Sequence, residues 1–355
     1  MSSLQLWLAI AGGLVLAAVV AYNAWQTRRA APRQPLPEPE APADAPASLD
    51  DARREPVLDA PVSEPAPLSP LTPLRGVEAA ARNLGLDALI DAIAPIELDA
   101  PVSGEAALAA LPATRRAGSK PFAIEGLDAD TGQWEPPRTG RRYSAFQAGV
   151  QLANRTGHLN EIEFSEFAQK AQQFADAIGG ALSLPDMIEE VSRARELDQF
   201  ASAHDAQLGF TLRAGSAAWS PGYVQQHAAR LGFVAGALPG RMVLPAQASG
   251  LPPVLSLAYD AQAALSDDPA QSAIREFSLS LDVPQVPRSE RPYQRMRELA
   301  IALAAAMEGQ LTDDNGRPIP TEALDAIGAD LEALYDRLDA HDLAAGSPQS
   351  RRLFS

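Results

Sequence analysis

Two amphipathic segments carry the same pattern of apolar residues at a fixed spacing. Glu163–Ile178 and Arg291–Met307 both repeat apolar residues at the period of an α-helix. Five apolar positions in the first segment correspond to five in the second with one constant offset of 129 residues. The pairs are Phe164 and Tyr293, Phe167 and Met296, Ala171 and Ala300, Phe174 and Leu303, and Ile178 and Met307. This offset predicts two tandem copies of one unit, at 84–205 and 206–343.

The residues around these segments extend the parallel. Each is followed by another amphipathic helix pattern that ends in His-Asp, at 204–205 and at 341–342. The spacing is longer in the second copy, where Asp313–Pro318 fits an insertion and its Asn-Gly pair predicts a tight turn. In the first unit, a short helix is predicted over Leu84–Ile93, with Leu86, Leu89, Ile90 and Ile93 on one face.

The second copy contains several strand patterns between its helices. Phe277–Val283 alternates apolar and polar residues, which is typical of a sheet with one covered face. The other predicted strands are Leu208–Arg213, Phe233–Ala237, Arg241–Leu244 and Val254–Tyr259. Short strands mixed with helices favour an α+β fold in which an antiparallel sheet has helices packed on one face.

The N-terminal residues predict a membrane anchor. Residues 1–27 carry no charge, and a helix over about 4–24 would be long enough to cross a bilayer. Arg28, Arg29 and Arg33 follow at once and predict a cytoplasmic side after the helix, with the N-terminus in the periplasm. The alternative is a cleaved signal peptide, which would have a basic start and a small-residue cleavage site.

A proline-rich segment predicts a linker at 28–83. Between residues 32 and 73 the chain has 12 of its 31 prolines, interspersed with Ala, Glu and Asp. This composition lacks the apolar residues that a folded core requires. A fully extended polyproline helix of this length would reach about 130 Å. The last residues, 344–355, are predicted to be a flexible tail.

Charge and composition exclude several functions. A net charge of −16 and a pI near 4.7 argue against a nucleic-acid partner. The absence of Cys removes thiolate catalysis and fits a reducing compartment. The chain has four histidines and no phosphate-binding glycine loop, G-x-S-x-G or H-E-x-x-H motif. We therefore expect no enzyme, with no catalytic residues, no metal ligands and no cofactor.

Three stretches of the second copy resemble the ZipA family of bacterial division proteins. They are LPPVLSLAYD at 251–260, FSLSLDVP at 277–284, and ALAAAMEGQLTDDNGR followed by PTEALDAI at 302–327. The order of anchor, basic residues, proline-rich linker and terminal domain is also similar. The resemblance implies a ZipA-like C-terminal domain in the second copy, whereas the first copy is more divergent.

The resemblance also implies a binding face. ZipA domains hold the C-terminal peptide of FtsZ on the open face of their sheet. Transferring that face to this sequence gives Leu208, Phe210, Ser256, Ala258, Ser278 and Ser280. A one-residue gap in the loop before Trp219 would instead place Leu208 and Phe210 in the core, because side chains alternate along a strand.

Two functions follow as expectations. The first is a non-enzymatic tether in the cell inner membrane that links the FtsZ ring to the lipid bilayer. The alternative is a membrane-anchored scaffold whose duplicated domains bind a different division or envelope protein.

Overall fold

The computed structural model describes four parts of the chain, residues 33–34, 85–266, 272–313 and 315–355. The α-helices are α1 (Gly104–Ala110), α2 (Glu161–Ile178), α3 (Met187–His204), α4 (Pro221–Arg230), α5 (Ala261–Leu265), α6 (Pro292–Met307), α7 (Thr321–Asp339) and α8 (Pro348–Leu353). The strands are β1 (Asp91–Ser103), β2 (Arg116–Ala117), β3 (Lys120–Asp128), β4 (Trp134–Glu135), β5 (Arg142–Gln151), β6 (Ala153–Asn154), β7 (Gly157–His158), β8 (Ala181–Leu182), β9 (Gln207–Ala214), β10 (Val234–Ala235), β11 (Arg241–Leu244), β12 (Leu255–Ala258), β13 (Glu276–Asp282) and β14 (Gly309–Thr312).

The predicted anchor at 4–24 lies outside the described residues, as does most of the predicted linker at 28–83. Within the described residues, none of the helices combines the length and the apolar character that a membrane span requires.

The chain forms an α+β fold with two six-stranded antiparallel sheets. The first sheet has the strand order β2-β3-β5-β1-β8, and β4 pairs with a second part of β3. The second sheet has the order β10-β11-β12-β13-β9-β14. In the first sheet, β1 lies between β5 and β8. In the second sheet, β9 lies between β13 and β14 in the corresponding way. The predicted boundary between 205 and 206 falls between α3 and β9.

The two long helices predicted from apolar periodicity are confirmed. Helix α2 packs on the first sheet, where Phe146 and Phe174 meet edge to face at 5.2 Å. Helix α6 packs on the second sheet and buries all five of its predicted core residues, Tyr293, Met296, Ala300, Leu303 and Met307. A left-handed residue ends each helix, Gly179 (φ 71°) in α2 and Glu308 (φ 52°) in α6, again 129 residues apart.

The helix predicted over Leu84–Ile93 is wrong. Residues 88–90 form a turn, and the extended strand β1 begins at Asp91. The strand is favoured because β1 pairs with β5 from Asp91↔Gln151 onward and buries Ala92, Ala94 and Ile96 on one face. The helical spacing of four apolar residues is therefore fortuitous, and pairing with a distant strand determines the conformation.

The alternation predicted for β13 is confirmed. Phe277, Leu279 and Leu281 are buried, whereas Ser278 and Ser280 lie on the opposite face. The other predicted strands also form, although β10 is limited to two residues, Val234–Ala235. One face of the second sheet is therefore a packed core and the other is polar, as the period of two predicts.

The residues predicted to be a flexible tail form part of the folded body instead. Helix α8 places Leu353 and Phe354 in the core, where both are 1% exposed. Arg352, next to them, forms a bidentate ion pair with Asp91 of the first unit, with nitrogen–oxygen distances of 2.5 and 2.9 Å. The C-terminal residues therefore join the two units.

The β6–β7 hairpin of the first unit provides a second junction. Arg155 at its tip pairs with Asp205 at 2.6 Å and with Asp282 at the end of β13 at 2.7 Å. Nearby, the ring of Phe200 lies between His204 and His341, with centroid distances of 4.2 and 4.3 Å. The ends of α3 and α7 therefore meet around one aromatic ring.

Arg33 is bound to the second unit. Its backbone N–H donates to the carbonyl of Ala218 at 2.7 Å, and its carbonyl accepts from the N–H of Ser220 at 2.9 Å. Its guanidinium forms an ion pair with Glu308, which follows α6. The linker predicted at 28–83 is thus attached to the folded body near its beginning.

Reversing the charge of Glu308 should loosen this attachment. A spin label on Gln34→Cys can be the only thiol label, because the chain has no cysteine. We expect a restricted electron paramagnetic resonance spectrum that becomes more mobile with Glu308→Lys, since an exposed pair contributes up to about 1 kcal/mol. The control Glu322→Lys, elsewhere on the surface, should leave the spectrum unchanged. An equally mobile label in the parent and in the variant would contradict the attachment.

Candidate functional site

Four of the six predicted binding residues lie together on the open face of the second sheet. Ser256 is opposite Ser280, and Ala258 is opposite Ser278, across the pair of β12 and β13. The hydroxyl of Ser278 donates to the carbonyl of Ala258 at 3.3 Å, and the hydroxyl of Ser280 donates to that of Ser256 at 3.5 Å. The centre of this face is therefore flat and lined by small side chains whose hydroxyls bond to the sheet itself.

The open-face placement of Leu208 and Phe210 is wrong. Phe210 is opposite the buried Leu279, is 1% exposed, and has its ring 6.5 Å from that of Tyr293 on α6. Leu208 is half-buried and packs against the same core. The alternative placement of both side chains in the core is the one the structure adopts. Both side chains belong to the core because a shift of one residue along a strand exchanges its two faces.

The sequence analysis missed the apolar part of the open face. Val234 and Val243 are opposite each other and continue one cross-strand row through Ser256, Ser280 and Gly209. Val234 is 50% exposed. The pairing of β10 with β11 sets this row, and the sequence signal was only that each strand contains one valine.

The same face carries a cation and ends at a shallow cavity. Arg241 is exposed and has no side-chain partner among the described residues, whereas Arg213 on the neighbouring row is paired with Glu276 at 2.9 Å. A cavity of about 250 Å³ lies beside Ser256 and Ser280. The face can therefore accept an extended chain with a carboxylate at Arg241 and an apolar group at the two valines.

The corresponding face of the first sheet is already covered. Leu86 lies on Gly149 so closely that a Cβ at Gly149 would be 2.3 Å from Leu86 Cδ2. The N–H of Leu86 donates to Glu125 at 3.1 Å, and the amide of Gln147 donates to the same carboxylate at 2.9 Å. Gln151 is buried and donates to the carbonyl of Arg352 at 2.8 Å. This face is therefore closed by the chain itself.

The His-Asp dipeptides have structural positions. Nδ1 of His204 lies 2.7 Å from the carbonyl of Phe200, and Nδ1 of His341 lies 3.0 Å from that of Arg337. Each imidazole therefore lies at a helix end, close to the last carbonyls. Within the described parts of the chain, no group of three or more His, Asp or Glu side chains is arranged to hold a metal ion.

The loop after β14 is a tight turn, as the sequence predicts. The carboxylate of Asp313 accepts from the backbone N–H groups of Asn315 and Arg317 at 2.9 and 2.8 Å. These bonds stabilise the ionised form and lower the pKa of Asp313. The Asp313 carboxylate therefore stabilises the turn.

Comparison with known proteins adds no family to these observations. No protein-family model matches the chain, and no curated protein is significantly similar to it. The resemblance of residues 251–327 to ZipA-type proteins stays a prediction from the sequence.

Proposed function

We propose that the chain is a non-enzymatic membrane tether whose second unit binds the C-terminal peptide of FtsZ on its open sheet face. The observation that carries this proposal is the row from Val234 through Ser256 to Ser280, which no other part of the described chain covers, beside Arg241, whose side chain has no partner among the described residues. A sheet face with an apolar edge and an exposed cation suits an extended peptide. The predicted helix at 4–24 would hold the protein in the cell inner membrane.

We also infer that the two units arose by duplication. The constant 129-residue offset extends from the core positions of α2 and α6 to the left-handed residues Gly179 and Glu308. The corresponding strands around the two long helices have the same order in their sheets. After duplication, Leu86 and Arg352 would have closed the first face, leaving the second as the binding unit.

The alternative function is a scaffold that uses the second unit to bind a different division or envelope protein. The polarity of the face favours this alternative, since Ser256, Ser278 and Ser280 provide little apolar area. The two functions share a surface and differ in the peptide that it recognises.

Titration of the full chain in nanodiscs with the FtsZ C-terminal peptide tests the first function. We expect saturable binding in fluorescence anisotropy, and we expect Val234→Asp to weaken it about tenfold, because it places a charge in the apolar row. The matched control is Leu265→Asp, since Leu265 is a similarly exposed apolar residue outside the open face.

Absence of binding at high micromolar peptide would reject the direct tether and favour the scaffold. Binding that is equally strong in the parent and in Val234→Asp would reject the open face as the site.

A further inference from the structure

The outer edge of β3 is interrupted in the first sheet. Strand β2 pairs with it up to Arg116↔Pro121, and β4 pairs with it from Gly126↔Glu135. Between these pairs, residues 122–125 pair with β5 on the inner side but have no partner strand on the outer side among the described residues. The gap is four residues long, or about 13 Å at the rise of a β-strand.

Main-chain groups of Ile124 point into this gap. The N–H of Phe122 donates to the carbonyl of Arg115 on the outer side at 2.9 Å. Since neighbouring residues of an antiparallel strand alternate in direction, the N–H and carbonyl of Ile124 point outward as well. No main-chain partner for them is present within the parts of the chain that the structure describes.

An apolar groove lies over the gap. Its cavity has a volume of about 490 Å³, and its lining includes Leu108, Leu111, Pro112, Phe122, Pro136 and Pro137. The prolines flank the gap on both sides and have no N–H to donate to β3. The groove therefore combines apolar walls with an unpaired strand edge.

The rim of the groove carries positive charge. Arg115 lines it, is exposed, and has no acidic partner among the described residues. Arg116 and Arg138 lie next to the lining residues and are exposed, and Arg138 is 3.7 Å from the carboxylate of Glu135. The one acidic lining residue, Glu125, has its carboxylate engaged by Leu86 and Gln147 on the opposite face of the sheet. The groove is thus locally basic in a chain with a net charge of −16.

We propose that this groove binds a short, extended, acidic segment of a partner protein by strand addition at Ile124. One aliphatic side chain of the segment enters between Leu111 and Pro136, and a carboxylate pairs with Arg115. Main-chain pairing gives affinity without a strict sequence requirement, and the groove selects an aliphatic side chain. The site lies on the first unit and is independent of the FtsZ peptide and of the open face of the second sheet.

A fluorescein-labelled octapeptide of alternating valine and glutamate is a direct probe. We expect saturable anisotropy changes with the full chain in nanodiscs. Arg115→Glu and Leu111→Glu should each weaken binding at least tenfold, whereas Arg337→Glu, at an exposed arginine on α7, should change it less than twofold. Equal binding by all of these variants, or no saturable binding to the parent, would overturn the proposal.

N-methylation of the probe tests strand pairing separately from charge. Two methylated peptides are compared, one with methyl groups on all valine amides and the other with methyl groups on all glutamate amides. Because N–H groups alternate in direction along an extended peptide, the two modifications block opposite edges. One of these two peptides should lose binding and the other should keep it, because only one edge faces Ile124. Equal affinities would exclude strand addition.

The chain's own linker is the competing occupant. If removing residues 35–83 strengthened probe binding tenfold or more, the groove would be an intramolecular site, and the partner-protein assignment would be wrong. An unchanged affinity supports the assignment.

Discussion

Replacing Phe210 with Asp is expected to abolish cooperative unfolding of the second unit. Truncation of a buried Phe to Ala costs about 3–5 kcal/mol, and an unpaired buried carboxylate adds a further penalty. Phe210 is 1% exposed between Leu279 and Tyr293, so the charge would have no route to water. The combined loss is comparable with the lower part of the range of about 5–15 kcal/mol by which domains are stabilised. Urea titration followed by tryptophan fluorescence measures it, since the buried Trp219 belongs to the same core.

The matched control is Ser280→Asp. Ser280 is exposed and lies on the opposite face of the same sheet, so the free energy of unfolding should change by about 0.5 kcal/mol or less. A folded Phe210→Asp variant that had lost peptide binding would contradict the core position of Phe210. Such a result would instead place the Phe210 side chain on the open face.

Replacing Arg352 with Met should be the most damaging change at the junction of the two units. Asp91 has a fully buried side chain, and Arg352 is its ion-pair partner. Removing one member of a buried pair costs about 3–5 kcal/mol, because the other charge stays buried without compensation. Denaturant unfolding measures the loss. Arg351→Met is the control, since the neighbouring Arg351 has no ion-pair partner among the described residues.

The ion pair between Asp91 and Arg352 also predicts how the stability of the Arg352→Met variant changes with pH. Burial raises the pKa of Asp91, and the Arg352 guanidinium opposes that rise. In Arg352→Met the pKa of Asp91 should rise further, so the folded state binds a proton more tightly than the unfolded state. Stability should therefore be greatest below the unfolded pKa of about 3.9 and fall as the pH increases through the folded value.

Adding Asp91→Asn to Arg352→Met removes the carboxylate and so tests whether Asp91 causes the pH dependence. The double variant should regain part of the lost stability and show no such fall with pH. If the single and double variants had the same pH profile, Asp91 would not be the titrating group.

Much of the helical structure was predictable because its signal is local. The spacing of Tyr293, Met296 and Ala300 places them on one side of any α-helix, and all three are buried. The polar face of β13 was predictable for the same reason, since the alternation of Ser278 and Ser280 with leucines belongs to the strand itself.

The positions that were mispredicted depend on distant residues. Leu208 and Phe210 alternate with glycine and threonine, but their register opposite β13 decides which face is buried. The strand at 91–103 needs its partner β5, and its first apolar residues alone fit a helix. Leu353 is buried by residues from across the chain.

Part of the candidate face followed from the resemblance, and the fold added the rest. The resemblance implied that Ser256, Ala258, Ser278 and Ser280 share one face, and the pairing of β12 with β13 places them together. Val234 could not be predicted there, because its two-residue strand joins the face only through its pairing with Val243. The closure of the first face by Leu86 has no sequence signal, since it depends on how the chain enters the first sheet.

The attachment of Arg33 changes the size of the volume in which the second unit moves. Eight residues lie between the end of the predicted anchor at 24 and Arg33, and the fully extended chain between these two positions spans about 30 Å. The whole proline-rich segment would allow about 130 Å. If the predicted helix at 4–24 lies in a bilayer, this attachment would confine the second unit to a volume roughly 80-fold smaller, because accessible volume scales with the cube of the reach, and would raise its local concentration at the bilayer accordingly. Under the proposed tether function, loss of the ion pair between Arg33 and Glu308 would widen that volume.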